Sequence, residues 1–280
     1  MKVHVLGVRG STPAPGHAFA RYGGNTSCVA LARDGEPPSL LLDAGTGLRG
    51  LGALLGEAPF RGALLLGHLH WDHTQGLPFS QAIDHDGARV RLCLPDQEDG
   101  DEAIEVLRRA MSPPHFPIGP EGLRGAWTFE GLEPGLHHLA GFEVLALEIP
   151  HKGGRTFGYR ISDGHRSIAY LSDHGPSALG PGPDGWGPYH DAAMALAADV
   201  DVLVHDAQHT AEELPTRVSW GHSAADYPVR LAELAGARSV LLFHHDPGRT
   251  DVEVDAIVDS FVEAAVPVSA AAEGTVITLL

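Results

Sequence analysis

The stretch His68-Leu69-His70-Trp71-Asp72-His73 decides how this chain is interpreted, because it places three imidazoles and a carboxylate after an apolar run. That run, Ala63-Leu64-Leu65-Leu66-Gly67, predicts a short buried strand. Side chains alternate along an extended segment, so His68 and His70 point the same way and can bind one ion. The last two residues of the stretch follow as the chain turns, and together they can face a second ion. Imidazole nitrogens and carboxylate oxygens are ligands of zinc, manganese and iron.

The composition of the chain and its apolar segments predict where in the cell the protein is located. Its 280 residues are 43% hydrophobic, which is enough for a substantial core. The N-terminal residues lack the long apolar segment of a signal peptide, and no apolar stretch is long enough to span a bilayer. Cys28 and Cys93 lie far apart and form no CxxC motif, so both are expected to be reduced. We therefore expect a cytoplasmic protein that has no contact with a membrane.

The charge of the chain restricts its partners. The formal net charge is −17, and a surface this acidic repels a polyanion, which argues against general nucleic-acid binding. A small phosphate ester remains acceptable as a substrate. Eighteen histidines are more than a core requires, so some of them are expected to have a chemical role.

Short apolar runs bounded by Gly, Pro and Asn predict strands, and apolar residues at helical spacing predict helices. Strands are predicted at residues 2–8, 27–32, 40–43, 63–67, 89–94, 142–149, 156–161, 167–171, 202–205, 240–243 and 275–280. Helices are predicted after Thr46 and at residues 101–111, 188–198, 224–235 and 251–265. No low-complexity linker divides the chain, so residues 1–280 are interpreted as one domain of stacked sheets flanked by helices. Around residues 80–135 we expect a loop or lid excursion that includes a rigid proline-rich segment at 112–117.

Further candidate ligands follow the predicted strands of the second half, where a site along one sheet edge requires them. They are His151, Asp173, His174, His205, Asp206, His244 and His245, with His222 just before a predicted helix. We prefer Asp173 to His174 because a carboxylate bridges two metals more naturally than an imidazole does. We prefer His244 to His245 because His244 follows its strand immediately. His205 is expected to orient ligands by hydrogen bonding and not to touch metal.

One glycine-rich segment imitates a nucleotide-binding fingerprint. Gly45-Thr46-Gly47-Leu48-Arg49-Gly50 matches GxGxxG between a predicted strand and a predicted helix. The next strand ends in Gly67-His68, however, where a ribose-binding acid belongs. We interpret these glycines as a tight turn and reject binding of a nucleotide cofactor.

The order His-x-His-x-Asp-His, then a lone His, an Asp and a late His resembles the metallo-β-lactamase superfamily over nearly the whole chain. Residues 21–27 and 41–47 look like its opening strands. The sequences Phe157-Gly158-Tyr159-Arg160-Ile161, His205-Asp206-Ala207 and Gly221-His222-Ser223 resemble its phosphodiesterase branch, which includes the tRNA 3′-processing endonuclease and cyclic-phosphate hydrolases. The resemblance implies a four-layer αββα sandwich.

The same resemblance implies a ligand set and catalytic roles. His68, His70 and His151 would hold one divalent ion, Asp72, His73 and His244 a second, and Asp173 would bridge both, with a hydroxide as the other bridge. Asp72 would also steer the proton of the nucleophile. His222 would protonate the leaving alkoxide, oriented by Asp206, where the family's processing endonucleases usually carry glutamate. Zinc suits this nitrogen and oxygen ligand set best, and manganese and iron are also compatible.

These inferences favour a dinuclear metal-dependent phosphodiesterase that hydrolyses a small or cyclic phosphodiester. The alternative is a lactone or thioester hydrolase of the same fold, in which His222 would matter little. A tRNA 3′-processing endonuclease is less favoured, because the short spacing from His151 to Asp173 leaves no room for a tRNA-gripping arm. A two-iron redox protein would need a carboxylate in place of a ligand histidine, and a regulatory binder has no need of seven metal ligands. Homodimers are common in the families that the chain resembles.

Overall fold

Two β-sheets packed face to face, with helices on both outer faces, form the predicted four-layer αββα sandwich. The structure is a computed structural model that describes residues 1–97 and 102–280. Within this part of the chain, each sheet has seven strands. Residues 98–101, which include the first residue of the helix predicted at 101–111, lie outside the described residues.

The first sheet contains the N-terminal strands and the end of the chain. Its strands are β1 (Lys2–Gly7), β2 (Cys28–Ala32), β3 (Leu40–Leu42), β4 (Arg61–Leu65), β5 (Arg89–Pro95), β6 (Ala126–Leu132) and β14 (Val276–Thr278). They are arranged in the order β14-β1-β2-β3-β4-β5-β6. Strands β3 to β6 are parallel, so their carboxyl ends meet at one edge of the sheet.

The second sheet contains the strands of the second half. They are β7 (Gly135–Leu139), β8 (Phe142–Glu148), β9 (Phe157–Ser162), β10 (Ser167–Leu171), β11 (Val202–Asp206), β12 (Val240–Phe243) and β13 (Val268–Ala270). Neighbours in the sheet follow chain order from β7 to β13. Strands β10 to β13 are parallel, and their carboxyl ends lie on the same side of the sheet.

Seven helices lie among the described residues, and those of the outer layers pack on the two sheets. They are α1 (Leu51–Leu55), α2 (Trp71–Thr74), α3 (Ala103–Arg108), α4 (Asp191–Ala197), α5 (Leu214–Arg217), α6 (Asp226–Ala235) and α7 (Asp251–Asp259). Side chains of α1 and α3 pack on the first sheet, and side chains of α4 and α6 pack on the second. Within the described residues, no helix has both the length and the apolarity that a bilayer crossing requires.

Burial on both faces explains why β3 and the second half of β4 carry apolar side chains at every position. In β4, Ala63 and Leu65 face the core between the sheets, whereas Leu64 faces the outer core beneath α1 and α3. In β3, Leu41 likewise lies in the outer core, on the opposite face from its two neighbours. A strand that is buried on both faces needs apolar residues at every position.

The segment predicted as an excursion is partly regular structure. Strands β5 and β6 lie within residues 80–135 and extend the first sheet, and α3 covers part of the helix predicted at 101–111. The proline-rich residues 112–117 form turns, as expected. Strands β6, β7 and β13 were not predicted from the sequence. The sequence of β7, Gly-Leu-His-His-Leu, is short and half polar, so it carries little periodic signal.

Candidate metal centre

The motif at residues 68–73 leaves the first sheet at the carboxyl end of β4. His68 and His70 are in the extended chain after the strand, and helix α2 then turns Asp72 and His73 back toward them. The amide of His73 donates a hydrogen bond to the carbonyl of His70 at 3.0 Å, which closes this turn. An alternating segment followed by one helical turn therefore brings all four side chains to one side.

A first group of ligand atoms joins this motif to the second sheet. It consists of His68, His70, His151 and Asp173, whose ligand atoms all lie within 4.8 Å of one another. His68 Nε2 is 3.5 Å from Asp173 Oδ2, and His151 Nε2 is 3.4 Å from the same oxygen. His151 Nε2 is also 3.3 Å from His70 Nδ1. Asp173 follows β10, so this group spans the edges of both sheets.

A second group of ligand atoms uses the other oxygen of Asp173. It consists of Asp72, His73, Asp173 and His244. The Nε2 atoms of His73 and His244 are each 3.0 Å from Asp173 Oδ1. The same two nitrogens lie 3.3 and 3.2 Å from Asp72 Oδ2. The two groups therefore meet at one carboxylate, with one oxygen facing each of them.

The spacing of these atoms fits divalent ions. A tetrahedral ion about 2.1 Å from each ligand has neighbouring ligand atoms about 3.4 Å apart, and the measured separations range from 3.0 to 3.5 Å. Several of the atoms are also buried without a hydrogen-bond partner, namely His68 Nδ1 and Nε2, His73 Nε2 and Asp173 Oδ1. Cations bound in the two groups would give His68 Nε2, His73 Nε2 and Asp173 Oδ1 the partners that buried polar atoms normally have.

The electrostatics of the two groups agree with that fit. Burial, together with the neighbouring His73, lowers the pKa of His68 well below its ordinary value, which keeps the imidazole neutral, as a metal ligand must be. Burial opposes a charge on His73, but Asp173, Asp72 and Asp43 outweigh it and raise its pKa well above the ordinary value. The same carboxylates would attract a divalent ion, which would take the place of the proton on His73 Nε2, because a metal-binding imidazole is neutral.

His222 and Asp206 form a pair at the edge of the two groups. His222 Nδ1 and Asp206 Oδ2 are 2.8 Å apart, and the imidazole ring of His222 lies 5.2 Å from that of His151 and 5.0 Å from that of His244. Burial lowers the pKa of His222, but the charge and hydrogen bond of Asp206 outweigh it and raise this pKa to about 9. Asp206 also accepts hydrogen bonds from the amides of His174 and Gln208, which fix its orientation.

The histidines that rival these ligands point elsewhere. His174 contacts His205 and His190, each at 2.8 Å between ring nitrogens, and belongs to neither ligand group. His205 Nδ1 donates to the backbone carbonyl of Asp206 at 2.8 Å. His245 donates to the carbonyl of Ala271 and does not join either group. The structure thus brings Asp173 and His244, rather than their neighbours, to the site.

Asp43 is a buried partner of the site that was predicted from the sequence only as the last residue of a strand. Its Oδ2 lies 2.8 Å from His73 Nδ1 and accepts hydrogen bonds from the hydroxyls of Tyr170 and Ser172, while Oδ1 accepts from the amide of Gly67. Its φ of 59° is unusual for a residue other than glycine. The available signal was an acidic residue immediately after β3, at the same sheet edge as the motif.

Gln208 and Gly221 hold two of the other imidazoles. His244 Nδ1 donates to Gln208 Oε1 at 3.0 Å, and His151 Nδ1 donates to the carbonyl of Gly221 at 2.6 Å. In each ring the second nitrogen is left to face the ligand group. Such partners fix the tautomer and orientation of a metal-binding histidine.

An open cavity of about 380 Å³ lies over both ligand groups. Its lining residues are Ser11, Leu69, His70, Trp71, Asp72, Asp173 and His222. Because His222 Nδ1 is engaged by Asp206, Nε2 is the ring nitrogen that remains to act toward this cavity. A small substrate placed there would contact both ligand groups and His222 together.

Comparison with known proteins agrees with this architecture. Residues 39–245 match the family model described as the beta-lactamase superfamily domain. Ribonuclease Z of Natronomonas pharaonis is 23% identical over 301 aligned positions, which cover 91% of this chain and 92% of that protein.

Solved structures share the fold over the full length of the chain. The metallo-β-lactamase fold protein YhfI from Bacillus subtilis superposes with a TM-score of 0.72 at 21% identity, covering 99% of both chains. A diphosphatase from the PhnP family superposes with a TM-score of 0.68 at 19% identity, covering 100% of this chain and 98% of that one. At these identities the likeness shows the fold alone.

Proposed function

The chain belongs to the β-lactamase superfamily, and on that premise we propose that it is a dinuclear metal-dependent phosphodiesterase acting on a small or cyclic phosphodiester. The observation that carries this proposal is the His222–Asp206 pair, 2.8 Å apart, beside two ligand groups that share Asp173. That combination joins sites for two cations to a proton donor for a poor leaving group. Hydrolysis of a phosphodiester needs both.

The residues that would hold the ions are those of the two ligand groups. His68, His70, His151 and Asp173 would bind one divalent ion, most suitably zinc, and Asp72, His73, Asp173 and His244 would bind the other. Bound there, the ions would neutralise phosphoryl oxygens and lower the pKa of a coordinated water.

The proposed role of His222 is to protonate the leaving group. As water adds to phosphorus, the P–O bond to the leaving alkoxide breaks, and its oxygen takes the proton from His222 Nε2. Asp206 supports this role by accepting from Nδ1–H, which keeps the imidazole oriented and favours its protonated form. An alkoxide needs such an acid far more than a stabilised leaving group does.

Asp72 is the proposed acceptor of the nucleophile's proton. Its Oδ2 faces His73 and His244 and accepts a hydrogen bond from the amide of Ser11 at 2.6 Å. Oδ1 is therefore the oxygen left to orient the attacking water and take its proton. Asp72 lines the same cavity as His222, so the two groups act on one bound substrate.

A small substrate is favoured over a large RNA, although full-length similarity to a ribonuclease Z makes that activity the second candidate. Strands β9 and β10 occupy most of the chain between His151 and Asp173, so no long RNA-gripping arm is inserted there. The net charge of −17 also opposes a polyanion. The cytoplasmic location and the homodimer remain predictions from the sequence and the resemblance.

The proposal is tested by hydrolysis of bis(p-nitrophenyl) phosphate and 2′,3′-cyclic AMP with zinc- or manganese-loaded protein, beside His222→Ala. Controls are a β-lactam, a lactone, a thioester and a tRNA precursor, and the metal content of each preparation is measured. We expect turnover of both diesters, with a larger loss in the variant for the cyclic substrate, because p-nitrophenolate leaves without an acid. Turnover of only a control substrate by protein holding two metals would refute the phosphodiesterase assignment.

A further inference from the structure

A second cavity adjoins the candidate metal centre and takes no part in the proposed chemistry. It has a volume of about 150 Å³ and lies between the segment around α2 and the segment formed by α3 and the residues after it. Leu77, Val106, Leu107 and Met111 contribute buried hydrocarbon to its walls. Among the described residues that line it there is no Asp, Glu, Lys or Arg. The cavity therefore suits an uncharged, apolar group.

This cavity borders the cavity over the ligand groups, and the two share two lining residues. Leu69 and Trp71 line both the apolar cavity and the cavity over the ligand groups, and both lie inside the ligand motif itself. The side chain of Trp71 is 75% exposed, and that of Phe79 is 60% exposed. The rings of Phe79 and Phe116 meet edge to face with centroids 5.7 Å apart. Exposed aromatic rings beside a reactive centre provide surfaces on which a planar group can pack.

We propose that this cavity is a substrate subsite that binds a planar aromatic ring carried on the non-leaving side of the phosphodiester. The inference rests on the proposed function, because it is the phosphate at the ligand groups that would place the ring at Leu69 and Trp71. The volume matches the ring: an apolar cavity of about 150 Å³ accommodates benzene. An aryl ester and a nucleobase share this planar chemistry, and both are included in the test.

The subsite is tested with p-nitrophenyl phosphodiesters that differ only in the second ester group: methyl, phenyl or 5′-thymidyl. Values of kcat/KM are divided by the rate of alkaline hydrolysis of each diester, which removes differences in intrinsic reactivity. We expect the phenyl diester to exceed the methyl diester by about tenfold or more, the scale on which apolar pockets discriminate. The thymidyl diester shows whether a nucleobase or an aryl group is the better source of the ring.

Two matched variants test whether the preference for the phenyl diester arises in this cavity. Ala110 lines the cavity from an exposed position, so Ala110→Phe should fill it without disturbing the fold. We expect this variant to reduce the phenyl-to-methyl ratio of kcat/KM to within about twofold of unity. Ala53→Phe makes the same change at an exposed position of α1, away from the cavity, and should retain the preference.

Binding of phenylphosphonate and methylphosphonate, measured by calorimetry, separates this inference from the proposed function. Tighter binding of phenylphosphonate that Ala110→Phe abolishes would support the ring subsite even if no diester is hydrolysed, in which case only the proposed reaction would fail. Diester turnover without a phenyl preference, or a preference that survives in Ala110→Phe, would overturn the subsite and leave the reaction standing.

Discussion

His222 Nδ1 and Asp206 Oδ2 are hydrogen-bonded at 2.8 Å across 16 residues of sequence, although one residue ends a strand and the other precedes a helix. Asp206 is fully buried, and His222 is 7% exposed. A buried carboxylate with one imidazole partner acts through that partner, because water cannot replace it. The two residues should therefore behave as a single functional unit.

A double-mutant cycle tests whether His222 and Asp206 act as one functional unit. We expect His222→Ala and Asp206→Asn each to lower kcat for 2′,3′-cyclic AMP by about 10²-fold, within the range of general acid catalysis. The double variant should lose much less than the product of the two single losses, because Asp206 acts on the reaction through His222. The assay is steady-state kinetics with metal content measured in parallel. Losses that multiply in the double variant would show that the two residues act independently.

Neighbouring histidines allow a test of the second ligand group. His244 contacts Asp72 and Asp173, whereas His245 donates to the carbonyl of Ala271. We expect His244→Gln to reduce bound metal from about two ions per chain to about one, because the second ligand group loses one of its two imidazoles. His245→Gln keeps a hydrogen-bonding side chain and should retain both ions. Elemental analysis after gel filtration gives the ratio, and equal loss in both variants would contradict the assignment.

The ligand motif was predictable because it is local, whereas the residues that orient it were not. His68 to His73 show their pattern within six positions, and strand ends then indicated His151, Asp173 and His244. Asp43 contacts His73 across 30 residues, and its place at the end of a strand does not reveal which distant imidazole it contacts. Sequence patterns report periodicity along a strand, but not which distant side chain completes a hydrogen bond.

In the segment around residues 80–135, strand formation likewise depends on contacts between distant residues that sequence periodicity does not predict. In β6, Trp127 and Phe129 alternate with Thr128 and Glu130, but the alternation covers only these four residues and most of the strand is partly exposed. Its strand character comes from pairing with β5 over seven positions, a tertiary contact that a periodicity analysis does not detect. The apolar cavity beside the ligand motif arises from that same segment, so sequence reasoning alone gave no indication of it.

Acid should weaken an ion pair that anchors the loop behind His244. Glu213 accepts from both terminal nitrogens of Arg249, at 3.2 and 2.6 Å, and Arg249 also donates to the carbonyl of Gln208. Burial raises the pKa of Glu213, but Arg249, Thr210 and Arg217 outweigh it and lower this pKa from 4.5 to about 2. The folded pKa lies below the unfolded one, so the stabilisation is present above pH 4.5 and is lost as pH falls toward 2.

We therefore expect Glu213→Gln to lower the free energy of unfolding near pH 6 by less than about 1 kcal/mol, since the partly exposed pair is screened by solvent. The difference in the free energy of unfolding between the variant and the unsubstituted protein should become smaller as the pH approaches 3. Urea unfolding across this range measures it, with the exposed neighbour substitution Glu212→Gln as control. A deficit that stays constant with pH would show that Glu213 contributes by packing and not by charge.

Gly10 offers a way to disturb His244 without altering a ligand. A β-carbon added at Gly10 would lie 2.4 Å from Cε1 and 2.5 Å from Nδ1 of the His244 ring, closer than van der Waals contact allows. The ring is confined by its hydrogen bond to Gln208 and by packing on His73 and His222, so it must turn away from Asp72 and Asp173.

We therefore expect Gly10→Ala to lose most of one bound ion and to bind metal at least about tenfold more weakly, which is the usual effect of a misoriented ligand on metal affinity. Chelator competition measures that affinity, and Gly52→Ala, where the added carbon meets no atom within 4 Å, is the matched control. Unchanged affinity in Gly10→Ala would mean that His244 is not held in place as a ligand.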